Sequence, residues 1–122
     1  MRLDSFTDIE AWKKARTLVS QIYEICRTQE IKHDYGFKDQ IQRAGVSIMA
    51  NIAEGFDGGS TNSFKLFLSY AYRSASEVES LLYVALDIKY IDDATFQKLV
   101  TQTQETKKLI GGFIRYLNSK NS

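Results

Sequence analysis

The chain contains no proline. Nothing in it therefore forces a kink on a helix interior, and long uninterrupted helices fit that absence. One cysteine, Cys26, excludes a disulfide within the chain. With His33 as the single histidine, the paired Cys/His spacing of a zinc site is absent as well. Charge of one sign is also missing. Sixteen basic and fifteen acidic residues leave a net charge of +1, which is no mandate for nucleic acid, membrane or acidic ligands, although a near-neutral sum hides local patches. No apolar run approaches the roughly 20 residues of a membrane span. The opening residues MRLDSFTDIEAWKK carry no apolar signal-peptide core. The expectation is a soluble, cytoplasmic protein with one domain over 1–122.

What is present is helical periodicity. A first helix is expected from about Asp8 to Arg27, with Ile9, Trp12, Ala15, Leu18, Val19, Ile22 and Cys26 recurring at three- and four-residue steps. Thr7 and Glu10 have capping-box spacing. A second helix should run from Tyr35 to Glu54, capped by Asp34 and ended by Gly55 in a left-handed conformation. The turn residues Asp57 to Asn62, DGGSTN, make the clearest break. A third helix is expected from Ser63 to Lys89, and Tyr90-Ile91 forms a short link. With Asp92 as cap, a fourth runs from Asp93 to Leu117, and the tail from Asn118 should fray. Gly111-Gly112 marks a close helix approach or a bend. Short links favour antiparallel neighbours, so the predicted fold is an all-α, antiparallel, up-down-up-down four-helix bundle.

Two helices carry more apolar surface than one stripe requires. The stretch YGFKDQIQRAGVSIMANIAEGF is apolar over a wide arc, and the third helix adds Leu66, Tyr70, Val84 and Ile88 on its far side. Surface of that kind marks a protein–protein contact, so self-association is expected. Arg43, Ser47, Asn51 and Glu54 form a polar row on the second helix. They suit either a ligand site or a structural network. The network is favoured, with Arg43 on a carboxylate and Asn51 on backbone or a neighbouring subunit, because buried polar groups must be paired.

No catalytic constellation emerges. His33 lies in a polar link, so a Ser-His-Asp arrangement has little support, and the reading is a non-enzyme. Glu77 and Glu79 are expected on a solvated face. Glu-x-x-His repeats for a carboxylate-bridged metal centre are missing, and DGGS lacks the lysine of a phosphate loop. No metal or other cofactor is expected. Lys13, Lys14 and Arg16, and Lys107, Lys108 and Arg115 (with Lys120), are the basic groupings. Each alone reads as a solvated helix face. Repeated by symmetry in an oligomer, each becomes a candidate phosphate-binding surface.

The residues Tyr35-Gly36, Gln40-Ile41, Arg43-Ala44, Val46-Ser47-Ile48 and Asn51-Ile52-Ala53-Glu54-Gly55-Phe56 resemble the signature of the 23S ribosomal RNA intervening-sequence proteins, also called S23 ribosomal proteins. Trp12 with Ala15, then Ser60, Phe64, Phe67-Leu68, Ala71, Ser74, Glu77-x-Glu79 and Tyr90-Ile91 extend the likeness over nearly the whole chain. Met49 and Ala50 stand where that family often has proline and serine, Ser63 where it often has glutamate, and Gly45 where alanine is usual. The resemblance implies a bacterial four-helix bundle that forms a homopentamer. It also implies similarity to the accessory protein of diversity-generating retroelements, which associates with a reverse transcriptase and binds nucleic acid. Two functions follow as expectations: an RNA- or nucleoprotein-associated module, or a protein-interaction scaffold without nucleic acid.

Overall fold

The computed structural model describes residues 2–120. Four α-helices account for most of them: α1 (Glu10–Ile25), α2 (Tyr35–Asp57), α3 (Thr61–Asp87) and α4 (Asp93–Lys120), preceded by a single 3-10 turn at Phe6–Asp8. Each helix packs on its two sequence neighbours and α4 closes the ring on α1, while the diagonal pairs make no such contact. Side-chain pairs give the directions. Asp34 meets Tyr90 and Ser47 meets Ser74 across α2 and α3, and Glu79 meets Lys107 and Lys65 meets Asn118 across α3 and α4. In each set residue numbers rise on one helix as they fall on the other, so these neighbours are antiparallel. The expected bundle is the fold observed.

The ends of the elements show where local chemistry overrides simple spacing. The capping box is built by Ser5 and Asp8 around the 3-10 turn, not by Thr7 and Glu10. Ile9, which caps α1, has no oxygen to offer but is buried, so the helix starts where an apolar residue enters the core. Asp34 caps α2 as expected, accepting from the Phe37 amide at 3.1 Å. Ser60 caps α3 and Asp92 caps α4 in the same way, at 3.1 Å and 2.8 Å. The α3 end forms a Schellman arrangement. Lys89 takes φ 64°, and the Tyr90 amide donates back to the Ala85 carbonyl at 2.8 Å. α4 continues past Leu117 to Lys120, and Asn118 accepts from Lys65 at 3.0 Å, so the expected fraying is absent as far as Lys120. Residues 121 and 122, included in that expectation, lie outside the described residues.

Gly55 does not end α2. It sits within the helix, fully covered, and the left-handed conformation falls at Gly59, with φ 87°. The reason is packing. A Cβ on Gly55 would lie 2.8 Å from the Phe67 Cβ and 2.9 Å from the Phe64 ring. Glycine here lets α3 close onto α2, and the helix then runs two residues further, to Asp57, before the Gly58–Ser60 link. α2 also passes unbroken through Met49 and Ala50.

The core is one cluster fed by all four helices, with Leu18 and Ile22, Ile41, Ile48 and Ile52, Leu68 and Leu82, and Leu99 and Ile110 among its closed members. Each such side chain contributes about 1.5–3 kcal/mol by leaving water. Cys26 is closed within this cluster, and burial pushes its thiol up from its ordinary value. Ile31 plugs the bundle end from the α1–α2 connection. Two polar side chains in α4 are fully buried, Thr103 and Thr106. Their hydroxyls donate to the Leu99 and Gln102 carbonyls one turn back, so neither is left unsatisfied.

Gly55→Ala must push Phe64 and Phe67 aside. Overpacking of this kind costs about 1–3 kcal/mol. A urea midpoint lowered by that amount is expected, although alanine is the better helix former. An unchanged or raised midpoint contradicts the close approach.

Candidate interaction surfaces

α2 lies between α1 and α3, and this placement uses up most of its wide apolar arc. Phe37, Ile41, Ala44, Gly45, Ile48, Ile52 and Gly55 are buried within one copy of the chain. Val46 and, at the start of the helix, Tyr35 are the large hydrophobic residues that α2 leaves exposed. The far side of α3 behaves differently. Leu66, Tyr70, Val84 and Ile88 all remain in solvent, at 50%, 37%, 42% and 51% exposure. They lie on one face of α3 and its C-cap at helical spacing, while Tyr23, Tyr83 and Leu109 are other exposed large side chains on α1, α3 and α4.

The polar row of α2 divides by depth. The Ser47 hydroxyl accepts from Asn51 Nδ2 at 3.0 Å and from the Ser74 hydroxyl at 2.9 Å, and Asn51 also donates to the Ser47 carbonyl at 2.8 Å. This small network ties α2 to α3. Arg43 is exposed and pairs with Asp39 one turn back, at 2.9 Å. Glu54 is exposed at the far end of the row. Arg43 on a carboxylate and Asn51 on backbone are the pairings anticipated.

The basic residues are placed unequally. Lys13 pairs with Glu10 on its own helix at 3.3 Å, and Lys14 bridges α1 to α4 through Glu105 at 2.9 Å. The Arg16 guanidinium lies 5.6 Å from the centre of the Trp12 ring, and a shallow groove joins it to Lys13, Thr17 and Ser20. The second grouping lines a separate groove between α3 and α4, where Lys107, Lys108 and Arg115 meet Tyr72, Glu79 and Gln104. The two groupings are thus not one patch.

Within that second groove, Glu79 corrects the expectation of a solvated carboxylate. Its side chain is 19% exposed, and it accepts from Lys107 at 3.0 Å and from Gln104 at 3.1 Å. Lys107 also lies 5.1 Å from the centre of the Tyr72 ring. Arg115 and Lys108 have no ion pair among the described residues. Gly111 forms no close approach of backbones, nor does Gly112. A Cβ on Gly111 would meet only the Arg115 guanidinium at 3.6 Å and the Tyr72 ring at 3.9 Å, so the pair leaves room for a side chain to lie along α4. Tyr72 went unnoticed in the sequence. Its signal is position, since it stands seven residues before Glu79 and so shares its helix face.

Among the described residues no group of three or more histidine, cysteine, aspartate or glutamate side chains is placed to hold a metal, and no helix is long and apolar enough to cross a membrane.

Burial alone would raise the Glu79 carboxyl, but donation from Lys107 and Gln104, with the lysine charge, holds it below its ordinary value. A lowered carboxyl contributes stability that is full above its unfolded value and is lost as pH falls through the folded one. Glu79→Gln should therefore melt lower at pH 7, and its deficit should shrink as both proteins are taken below about pH 4. Parallel melting curves from pH 7 to pH 3 check this.

Residues 7–112 match the family of 23S rRNA-intervening sequence proteins. A solved structure is also similar, that of a protein of unknown function from the S23 ribosomal protein family of Bacteroides thetaiotaomicron VPI-5482. It is 24% identical with a TM-score of 0.80, over 86% of this chain and 95% of that one. No curated protein matches. The helical order, the antiparallel closure and the family match over most of the sequence lead to one assignment: the chain belongs to the 23S rRNA-intervening sequence protein family.

Proposed function

We propose that this protein is a non-enzymatic, cytoplasmic module that assembles with copies of itself and associates with RNA or a nucleoprotein. The exposed apolar face of α3 is the observation that carries the assembly. Leu66, Tyr70, Val84 and Ile88 are left wet by a bundle whose own core is closed. Sealing these side chains against an identical copy removes apolar area from water without disturbing the protomer. Five copies is the number that the family resemblance implies. In a ring, the same basic groove is presented several times, and weak phosphate contacts add through avidity.

The nucleic-acid half rests on Lys108 and Arg115, which no carboxylate neutralises, and on the family's link to intervening sequences of 23S rRNA. Lys13, Lys14, Arg16 and Lys107 remain phosphate contacts of lower weight. Lys13, Lys14 and Lys107 each hold an acidic partner, and Arg16 lies against Trp12. The alternative is a scaffold that binds protein alone. The mixed charge along the α1–α4 seam, where Glu10 and Glu105 alternate with Lys13 and Lys14, favours that reading for α1.

Sedimentation separates assembly from its absence. The wild type should run well above the 14.0 kDa protomer, and Leu66→Glu should return it toward that mass with its helix content intact. Affinity for a mixed-sequence RNA should fall steeply between about 50 and 200 mM salt. A protomer-sized wild type rejects the assembly, and salt-independent or absent RNA binding leaves the scaffold.

A further inference from the structure

We infer that the α3–α4 groove takes single-stranded nucleic acid, with an unpaired base stacked on Tyr72 and the adjoining phosphate held by Lys108 and Arg115. This deepens the nucleic-acid reading above and rests on it, because it names the kind of strand that the groove fits.

The ring comes first. Tyr72 is 40% exposed although it stands at the junction of two helices, and its neighbours are polar side chains, not the core. Lys107 already lies against the ring, 5.1 Å from its centre, and is anchored there by Glu79. That anchoring holds one side of the site in place. Part of the ring remains exposed, and a base laid on it removes two flat apolar faces from solvent at once.

The charges come next. Glu79 is the acidic group in the groove, and Lys107 and Gln104 both donate to it. Lys108 and Arg115 add two positive charges that form no ion pair among the described residues. The Arg115 guanidinium lies along its own helix over Gly111 and Gly112, and with no side chain on Gly111 the space between guanidinium and ring stays clear. A planar cation of this type bonds a phosphate through two parallel N–H groups. A flat ring and a fork-shaped cation facing one small space match a nucleotide unit, base and phosphate together.

A duplex does not satisfy both halves. Its bases are already stacked, and the deep, narrow groove of A-form RNA keeps side chains from base faces. Paired RNA would engage only the cations, while an unpaired strand engages ring and cations together.

The test uses the full chain at low salt, with a fluorescent 12-nucleotide RNA of mixed sequence and the same RNA annealed to its complement. The wild type should prefer the single strand. Tyr72→Leu should weaken single-strand binding by about tenfold and leave the duplex unchanged, and Tyr72→Phe should restore it. Lys108→Gln should weaken both probes. Equal losses for Tyr72→Leu on the two probes, an inert Tyr72→Phe, or a preference for duplex would overturn the stacking site while leaving RNA association standing. No binding of either probe by the wild type would remove both. Thermal melting of each variant guards against misfolding, and Tyr72→Phe keeps the test decisive if the leucine variant melts early.

Discussion

The tight seam between α2 and α3 is the constraint on which the rest of the bundle depends. At one end Gly55 admits Phe64 and Phe67 to contact distance, in the middle Ser47, Asn51 and Ser74 share hydrogen bonds, and at the other end Asp34 accepts from Tyr90 at 2.6 Å. These three contacts differ in kind, so they fix spacing, register and end position separately. Once α2 and α3 are set, α1 covers one flank of α2 through Val19 and Ile22 against Gly45, and α4 covers the flank of α3. The core closes between them.

That closure explains why chemistry is confined to the outside. The fully buried polar side chains, Thr103 and Thr106, are spent on their own helix backbone. Cys26 is closed within the core cluster and burial pushes its thiol up, against the lowering effect of Gln42 and nearby cations, which suits packing and opposes reactivity. What remains addressable is the surface: an apolar stripe on α3, an α2 row of which Ser47 and Asn51 are held in structural bonds, and an uneven distribution of cations. The grooves of that surface differ in charge and in apolar content.

Much of this was legible in the sequence. The periodicity of apolar residues placed four helices and most of the core, because a helix buries what recurs at its own period. The exposed stripe Leu66, Tyr70, Val84 and Ile88 was visible as residues at helical spacing that the inner face did not need. Helix ends were read less well, and Gly55 shows why. Glycine near a turn signal looks like a terminator, yet close packing asks for the same residue, and only the partner helix decides. Lys89 is the converse case, a residue with a Cβ in the left-handed position that glycine usually fills. Pairings across helices were the least legible. Glu79 and Lys107 are 28 residues apart, and neither carries a local sign that the other is near.

The Tyr90–Asp34 bond has a consequence for how the fold breathes. It joins the α3–α4 link to the first turn of α2, and Ile31 and Ile91 are buried in the same connections. The opposite end closes over Gly58 and Gly59, where a Cβ on Gly59 would meet open space. Local unfolding follows the least-anchored route. Opening at the clasped pole must therefore break a side-chain bond and wet two isoleucines together.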